Sequence, residues 1–433
     1  MKLRGLIKLE PKFGCQLDPK IGPSLGPKFD PSILTLRWPA PPASLLNSAC
    51  LLAAIAAGMA ALLTFSGCRH SDFPDYPANY REFAYIPNGG SNTVTILDVV
   101  HVRIDRELTV GEHPIAVAIS PTRNEVYILN SGNDSGNGSV SVLNAGANQV
   151  VATIPVRRKP MAIAVDGSGR RAYVANFGSN SISVIDLDAD REVAVLGVGD
   201  GPAALRLSPD DKTLVVANSR AGSIVVLDLS QTPSSAPHPL RAVFEGCPGA
   251  NDVVILPDSS KAFAACADGH QVMAILLAHS GQPDRLEALL DVGKAPVHLA
   301  LKPDGGELFV SNSASDTISE VSTPTNDVSG AYLMGDQPVR GLVSPDNSLL
   351  YVSNFGSQEV TLYAIDDGKR TGTIRVGDGP TALALSTAGH LLFVVDSRSA
   401  DVAVVRTSSR SLFTILSTGK APNGIAIKAF TVK

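Results

Sequence analysis

From about residue 80 to the C-terminus, short apolar runs alternate with polar turns, and the runs repeat. Segments closing on one small polar residue are AYIPN (Ala84 to Asn88), VYILN (to Asn130), AYVAN (to Asn176), LVVAN (to Asn218), AFAAC (to Cys266), LFVSN (to Asn312), LYVSN (to Asn354) and LFVVD (to Asp396). They are spaced by 42, 46, 42, 48, 46, 42 and 42 residues, a period that announces a repeat array or a propeller. A second landmark fixes the register. Gly-x-x-Pro elements at Pro114, Pro202, Pro296, Pro338, Pro380 and Pro422, with variants at Pro160 and Ala250, stand 16 residues before each closing residue from Asn130 to Asp396. Between them lie an alternating apolar run, a turn such as Ser208-Pro209-Asp210-Asp211, and the second strand, a hairpin pattern with type I turn chemistry. A Gly/Ser loop, a third strand (TVTILD, SISVIDLD, SIVVLDLS), a turn and a fourth strand complete the unit.

Four strands in about 42 residues make one propeller blade. The expected fold is therefore all-β: an eight-bladed β-propeller of four-stranded antiparallel blades. The first unit begins at its second strand, and a lone apolar run, Asn423 to Lys428, remains at the end. Pairing that run beside Ala84 to Asn88 closes the ring and removes the exposed edges. Seven blades is the alternative, if the unit around residues 219–258 is an insertion.

The first 67 residues differ in kind. No charge occurs from Pro39 to Gly67, and Leu51 to Phe65 is a 15-residue apolar run, the length of a signal-peptide core and shorter than a membrane span. It ends in Phe65-Ser66-Gly67-Cys68, which resembles the bacterial lipobox except that Phe65 stands where that motif usually has Leu. The resemblance implies cleavage before Cys68, lipidation of Cys68, and a cell-envelope location outside the cytoplasm, with Arg69 favouring the outer membrane. An uncleaved anchor and ordinary secretion are the alternatives. The expected organisation is residues 1–67 as leader, 68–79 as tether and 80–433 as one propeller domain.

The sequence is 44% hydrophobic and 18% charged, which excludes a disordered chain. Its net charge is -5, from 36 Lys+Arg against 41 Asp+Glu; without residues 1–67, which hold seven basic and three acidic residues, the remainder is 29 against 38, or -9. An acidic chain without a basic block is a poor nucleic-acid binder. No nucleophilic elbow, phosphate loop, zinc-protease helix or haem-attachment motif is present. No cofactor and no metal site are expected, and a monomer is.

The repeats AYVANFGSNSISVID (Ala172 to Asp186) and LYVSNFGSQEVTLYA (Leu350 to Ala364) resemble the YVTN-type β-propeller repeats of bacterial surface and periplasmic proteins. That resemblance implies fold over residues 80–430 and says little about chemistry, because its signature residues are turn and packing residues. The third-strand Asp of the early units (Asp98, Asp186, Asp228, with Asn144) gives way to Leu276, Ser322, Ala364 and Arg406 in the later ones. Turn carboxylates such as Asp210, Asp258, Asp304 and Asp346 read as turn formers.

Aligned on the Pro, the first strands carry small residues at the second and fourth following positions, as crowding around an axis requires. Arg206, Asp252, His298 and Arg340 break that rule in four successive units. They are either the self-neutralising wall of a wet channel or a pocket for an anionic or carbonyl-bearing ligand, with two Arg clamps and His298 as acid or base. A ligand or partner surface is expected on the face of the Gly-x-x-Pro loops, where Ser131 to Ser139 adds an extra loop; the insertions Gln231 to Pro239 and Ala278 to Pro283 belong to the opposite face. The first functional expectation is a lipid-anchored binding or interaction scaffold. The alternative is a hydrolase of the propeller lactonase kind acting on a sugar-acid lactone, to which the fold, but no local motif, is similar.

In one unit Cys247 replaces the loop Gly and Cys266 replaces the closing Asn. Elsewhere the Asn side chain is expected to bond the Gly-x-x-Pro loop, so the two positions should be close and the cysteines able to form a disulfide; two separate thiols are the alternative.

Overall fold

The computed structural model describes residues 74–133, 136–230, 240–278 and 282–432. Cys68 and the whole leader lie outside the described residues, as do 231–239 and 279–281 of the two insertions. The described residues form eight four-stranded antiparallel sheets. Blades 2 to 8 open with the inner strands Pro114–Ile119, Pro160–Val165, Pro202–Leu207, Ala250–Ile255, Pro296–Leu301, Pro338–Val343 and Pro380–Leu385. The unit around residues 219–258 is no insertion: it supplies Ser223–Asp228 and Leu240–Glu245 to blade 4 and Ala250–Ile255 to blade 5.

Blade 1 is closed by the C-terminus in the expected frame, with Ala84 opposite Ile427 and a bridge between Asn88 and Pro422, but the regular strand lies three residues later than expected. The closing strand is Ala426–Thr431, not Asn423 to Lys428, and it pairs with Tyr80–Asn88 from Tyr80↔Thr431 to Tyr85↔Ala426. Asn423 instead sits in the entry to that strand, donating its backbone N–H to Pro87 O (3.1 Å) and its side-chain amide to Pro114 O (3.0 Å). The ladder extends past Lys428 to Thr431 because Tyr80–Asn88 is nine residues long and offers partners as far back as Tyr80.

The hydrophobic pattern follows position in the blade. Second strands such as Thr213–Asn218 and Leu349–Asn354 are buried along their whole length, because both faces meet neighbouring blades. Outer strands such as Asp327–Leu333 are largely exposed. In each blade the core is shared with a neighbour: Leu205 and Leu207 of blade 4 pack with Tyr173 and Val184 of blade 3, and Ala204 packs with Val253 of blade 5. The third position after the Pro thus faces the preceding blade and the second faces the following one. A bulge between the Pro and that second position, seen in blades 2 to 8, sets this phase.

The closing Asn is a tie, though its partner differs from the one expected. Asn176, Asn312, Asn354 and Asn88 donate to a third-strand hydroxyl seven residues on, Ser183 (2.8 Å), Ser319 (2.9 Å), Thr361 (2.8 Å) and Thr95 (2.8 Å), and Asn130 to the corresponding Ser141, eleven residues on (3.0 Å). In three blades the same oxygen accepts the loop glycine's N–H, from Gly111 (3.3 Å), Gly293 (3.4 Å) and Gly419 (3.3 Å). The hydroxyl relays the Asn to the loop, and only Asn218, which faces Val225 at that place, bonds the loop directly, at Val198 O (2.7 Å). A Cβ on Gly111 would lie 2.5 Å from the Asn130 amide, so the glycine is there for the close approach. In blade 5 a disulfide joins Cys247 and Cys266, with Cα atoms 4.7 Å apart.

Candidate functional site

The inner strand of every blade is the edge of its sheet, so its free N–H and C=O groups face the axis and need partners. Three of the four polar residues singled out from the sequence meet that need by lying over the inner strand of the following blade. Arg206 donates from Nε to Val253 O (3.1 Å). Asp252 accepts Leu299 N–H at Oδ2 (3.0 Å) and its neighbour Val253 N–H at Oδ1 (2.9 Å). His298 accepts Gly341 N–H at Nδ1 (3.2 Å), which places its ring proton on Nε2. They also meet one another: Asp252 stands 4.0 Å from the Arg206 guanidinium and 3.9 Å from His298 Nε2.

Arg340 is different. Among the described residues its guanidinium makes no hydrogen bond and no ion pair within 4 Å. Burial works against its charge, Asp252 supports it and Arg206 opposes it. His298 is held well below its ordinary pKa, first by burial and then by Arg340 and Arg206, so it is a neutral imidazole at physiological pH.

Arg206, His298 and Arg340 border a cavity of about 600 Å3 in the channel, within the range of small-molecule sites. Its lining runs from His298 and Arg340, two residues in from the Gly-x-x-Pro end, down to Pro303 in the hairpin at the other end. Asp252 is not itself part of the lining, and its carboxylate meets the lining at His298 Nε2, 3.9 Å away. Several lining residues were not singled out from the sequence: Val117, Leu299, Gly341, Leu383 and Ile425 all occupy the third position after the Pro, and aligning that position as well would have revealed them.

Other sequence candidates fall elsewhere. Asp210, Asp258, Asp304 and Asp346 accept backbone N–H groups two residues on, from Lys212, Ser260, Gly306 and Ser348, and are turn formers. A depression of about 580 Å3 beside blades 7 and 8 includes Asp346, Asp366, Asp367 and Arg410, but Asp346 is committed to its turn. Loop residues Ser131 and Gly132 bond back to His113 O and Glu112 O. Among the described residues no three His, Cys, Asp or Glu side chains gather to hold a metal ion.

The family described as "Lactonase, 7-bladed beta-propeller" matches residues 101–198 and 340–427, less than half of the chain; the second segment begins at Arg340, while Arg206, Asp252 and His298 lie outside both. No curated protein matches. Among solved structures, the chain is similar to the dihydro-heme d1 dehydrogenase NirN (17% identity, TM-score 0.67, covering 82% of this chain and 76% of that one). It is also similar to the hydrazine synthase of Kuenenia stuttgartiensis (22%, 0.53, 68% and 96%). A third is a candidate 6-phosphogluconolactonase from Bacteroides fragilis (15%, 0.55, 82% and 99%). At these identities the likeness is one of fold. The chain is a β-propeller repeat protein, with eight blades where the matching family is described as seven-bladed.

Proposed function

We propose that the chain is a lactonase-type hydrolase that works in the channel. The observation that carries this reading is an unpaired guanidinium, Arg340, bordering a cavity of about 600 Å3 beside a neutral imidazole. The family match and the lactonase-named neighbour support it over a scaffold without chemistry. In this reading Arg340, with Arg206, holds the substrate's negative charge and the carbonyl oxygen as it gains charge. His298 Nε2 and Asp252 Oδ2, 3.9 Å apart, flank a point where both can hold one water. The Asp252 carboxylate takes a proton as that water adds to the lactone carbonyl. The ring C–O bond then breaks and the alkoxide is protonated, so lactone and water become a hydroxy acid.

Lactone hydrolysis by the wild type, Arg340→Ala and His298→Ala tests it. The expected result is turnover by the wild type and a loss of roughly 100-fold or more in kcat/KM for Arg340→Ala. No activity in the wild type on any small-acid lactone overturns the reading.

We also infer that Cys68 is the lipidated N-terminus of a cell-envelope protein. The described chain supports a particular exit: Tyr76 stacks on Tyr80 (4.7 Å) and packs on His390 (6.2 Å) of the blade 8 hairpin, on the face opposite the Gly-x-x-Pro loops. An intact mass showing unmodified Cys68 overturns the anchor and leaves the channel chemistry untouched.

A further inference from the structure

The inner strands repeat, so one position can be compared around the whole ring. At the third position after the Pro, or after Ala250 in blade 5, seven blades place Val, Ile or Leu, and blade 7 alone has a glycine, Gly341, next to Arg340. Its backbone does not call for glycine, since its φ is not positive. Space does. The third position packs against the preceding blade, where Leu205 shares a core with Ala164 and Leu383 with Leu342, residues at the fourth position. Blade 6 offers Ala300 at that place, the same residue type as Ala164, yet a Cβ added to Gly341 would lie 2.9 Å from Ala300 Cβ and 3.3 Å from Leu350 Cδ1. A leucine fits against one alanine and a methyl group does not fit against the other. The inner strands of blades 6 and 7 therefore stand closer here than those of blades 3 and 4.

The close approach bears on the site, because Gly341 N–H donates to His298 Nδ1 (3.2 Å). A neutral imidazole nitrogen offers one lone pair, in the plane of the ring, and accepts only from a donor held in one place. The carboxylate of Asp252 is less demanding: with two oxygens it reaches the matching N–H of Leu299 (3.0 Å) past a full side chain. With a donor on Nδ1, the ring proton stays on Nε2, the atom 3.9 Å from Asp252 Oδ2.

We infer that Gly341 is a positioning residue: its missing side chain lets blade 7 close on blade 6, and its N–H fixes the tautomer in which His298 Nε2 donates. The catalytic consequence rests on the hydrolase reading above. A donating Nε2 holds the water by an oxygen lone pair and leaves the water's protons to Asp252. The other tautomer would accept a water proton in competition with that carboxylate.

Nitrogen NMR of the full chain with isotope-labelled histidine and glycine tests the placement without any turnover, the His298 signals being assigned by their loss in His298→Gln. The wild type is expected to show the Nε2–H tautomer and a coupling across the hydrogen bond from Gly341 N–H to Nδ1. Gly341→Ala is expected to lose the coupling and to populate both tautomers. Adding Ala300→Gly, which gives back the room, is expected to restore the single tautomer. On a lactone, kcat of Gly341→Ala is expected to fall about tenfold with KM unchanged, and to recover in the pair.

An Nδ1–H tautomer in the wild type, or no coupling to Gly341, overturns the inference even if neither variant folds. So does a folded Gly341→Ala that keeps the wild-type tautomer, as a glycine required for packing alone would, or a folded pair that stays mixed. A wild type that opens lactones, with a variant whose tautomer shifts while kcat holds, keeps the hydrolase and removes the positioning role. Failure of the hydrolase reading looks different: the tautomer responds to Gly341 and Ala300 as described while the wild type opens no lactone.

Discussion

Blades 1, 3, 6 and 7 carry a hydroxyl seven residues after the closing Asn, and blade 2 carries one at the matching third-strand place eleven residues after it; blades 4, 5 and 8 carry Val225, Met273 and Ala403 instead. The residue before the Pro, or before Ala250 in blade 5, has a positive φ in all eight blades. In the five hydroxyl blades that residue is Ala421, His113, Lys159, Ala295 or Gln337, whereas in the other three it is Gly201, Gly249 or Gly379. The left-handed conformation costs an L-residue about 1–2 kcal/mol and glycine almost nothing. Blades with the hydroxyl therefore hold a strained loop, which the relay reaches in three of the five, and blades without it use the residue that has no strain to hold. Each of the three then ties its loop in its own way: Asn218 reaches Val198 O, Cys247 bonds Cys266, and Asp396 accepts Gly377 N–H at 3.0 Å.

Removing the covalent tie should have the largest effect. The disulfide closes a loop with a sequence separation of 19 residues, and in the chain-entropy account that contributes about 3 kcal/mol. Cys247→Ala with Cys266→Ala should lower the melting temperature under oxidising conditions and change little once the wild type is reduced. Equal melting of the oxidised wild type and the double variant would show that the bridge adds nothing.

Blade 8 should respond to pH instead. Burial, with Asp401 opposite, raises Asp396 from the ordinary 3.8 to about 8. Between those values the folded state keeps a proton that the unfolded state releases, so this group's contribution is full below pH 3.8 and falls as pH rises to about 8. Asp396→Asn should remove the slope, raising the melting temperature more at pH 9 than at pH 5. A pH-independent difference would mean that Asp396 is ionised in the fold.

The relay itself is weaker. Ser319→Ala removes the 2.9 Å bond from Asn312 and the 3.4 Å bond from Gly293 N–H, and should cost about 1–2 kcal/mol in denaturant unfolding. Smallest is Ala295→Gly, which relieves the positive φ of 51° and should stabilise by about 1 kcal/mol or less, because glycine also loosens the unfolded chain. The gain should grow when Ser319→Ala is present. A strictly additive pair would separate strain from relay and break the comparison.

Much of this was legible in the sequence. The repeat of Asn and Gly-x-x-Pro carries the blade count, since each landmark sits at a turn whose geometry one residue type enforces. The pairing frame of the closing strand was legible but its bounds were not, because the apolar run continues without a break from Lys428 through Ala429 and Phe430 to Thr431. The polar members of the channel stood out as exceptions to a run of alanines. Its third-position lining residues did not, because Val117, Leu383 and Ile425 also pack into the cores between blades and look like any core residues in the sequence.

The central claim is that Arg340, with Arg206, forms an anion site inside the ring. A crystal soaked with para-bromophenylacetate and measured at the bromine edge tests it most directly. The account predicts one anomalous peak within the channel, with the carboxylate on the Arg340 guanidinium. A peak on the Gly-x-x-Pro face or the outer strands, with an empty channel, would contradict it.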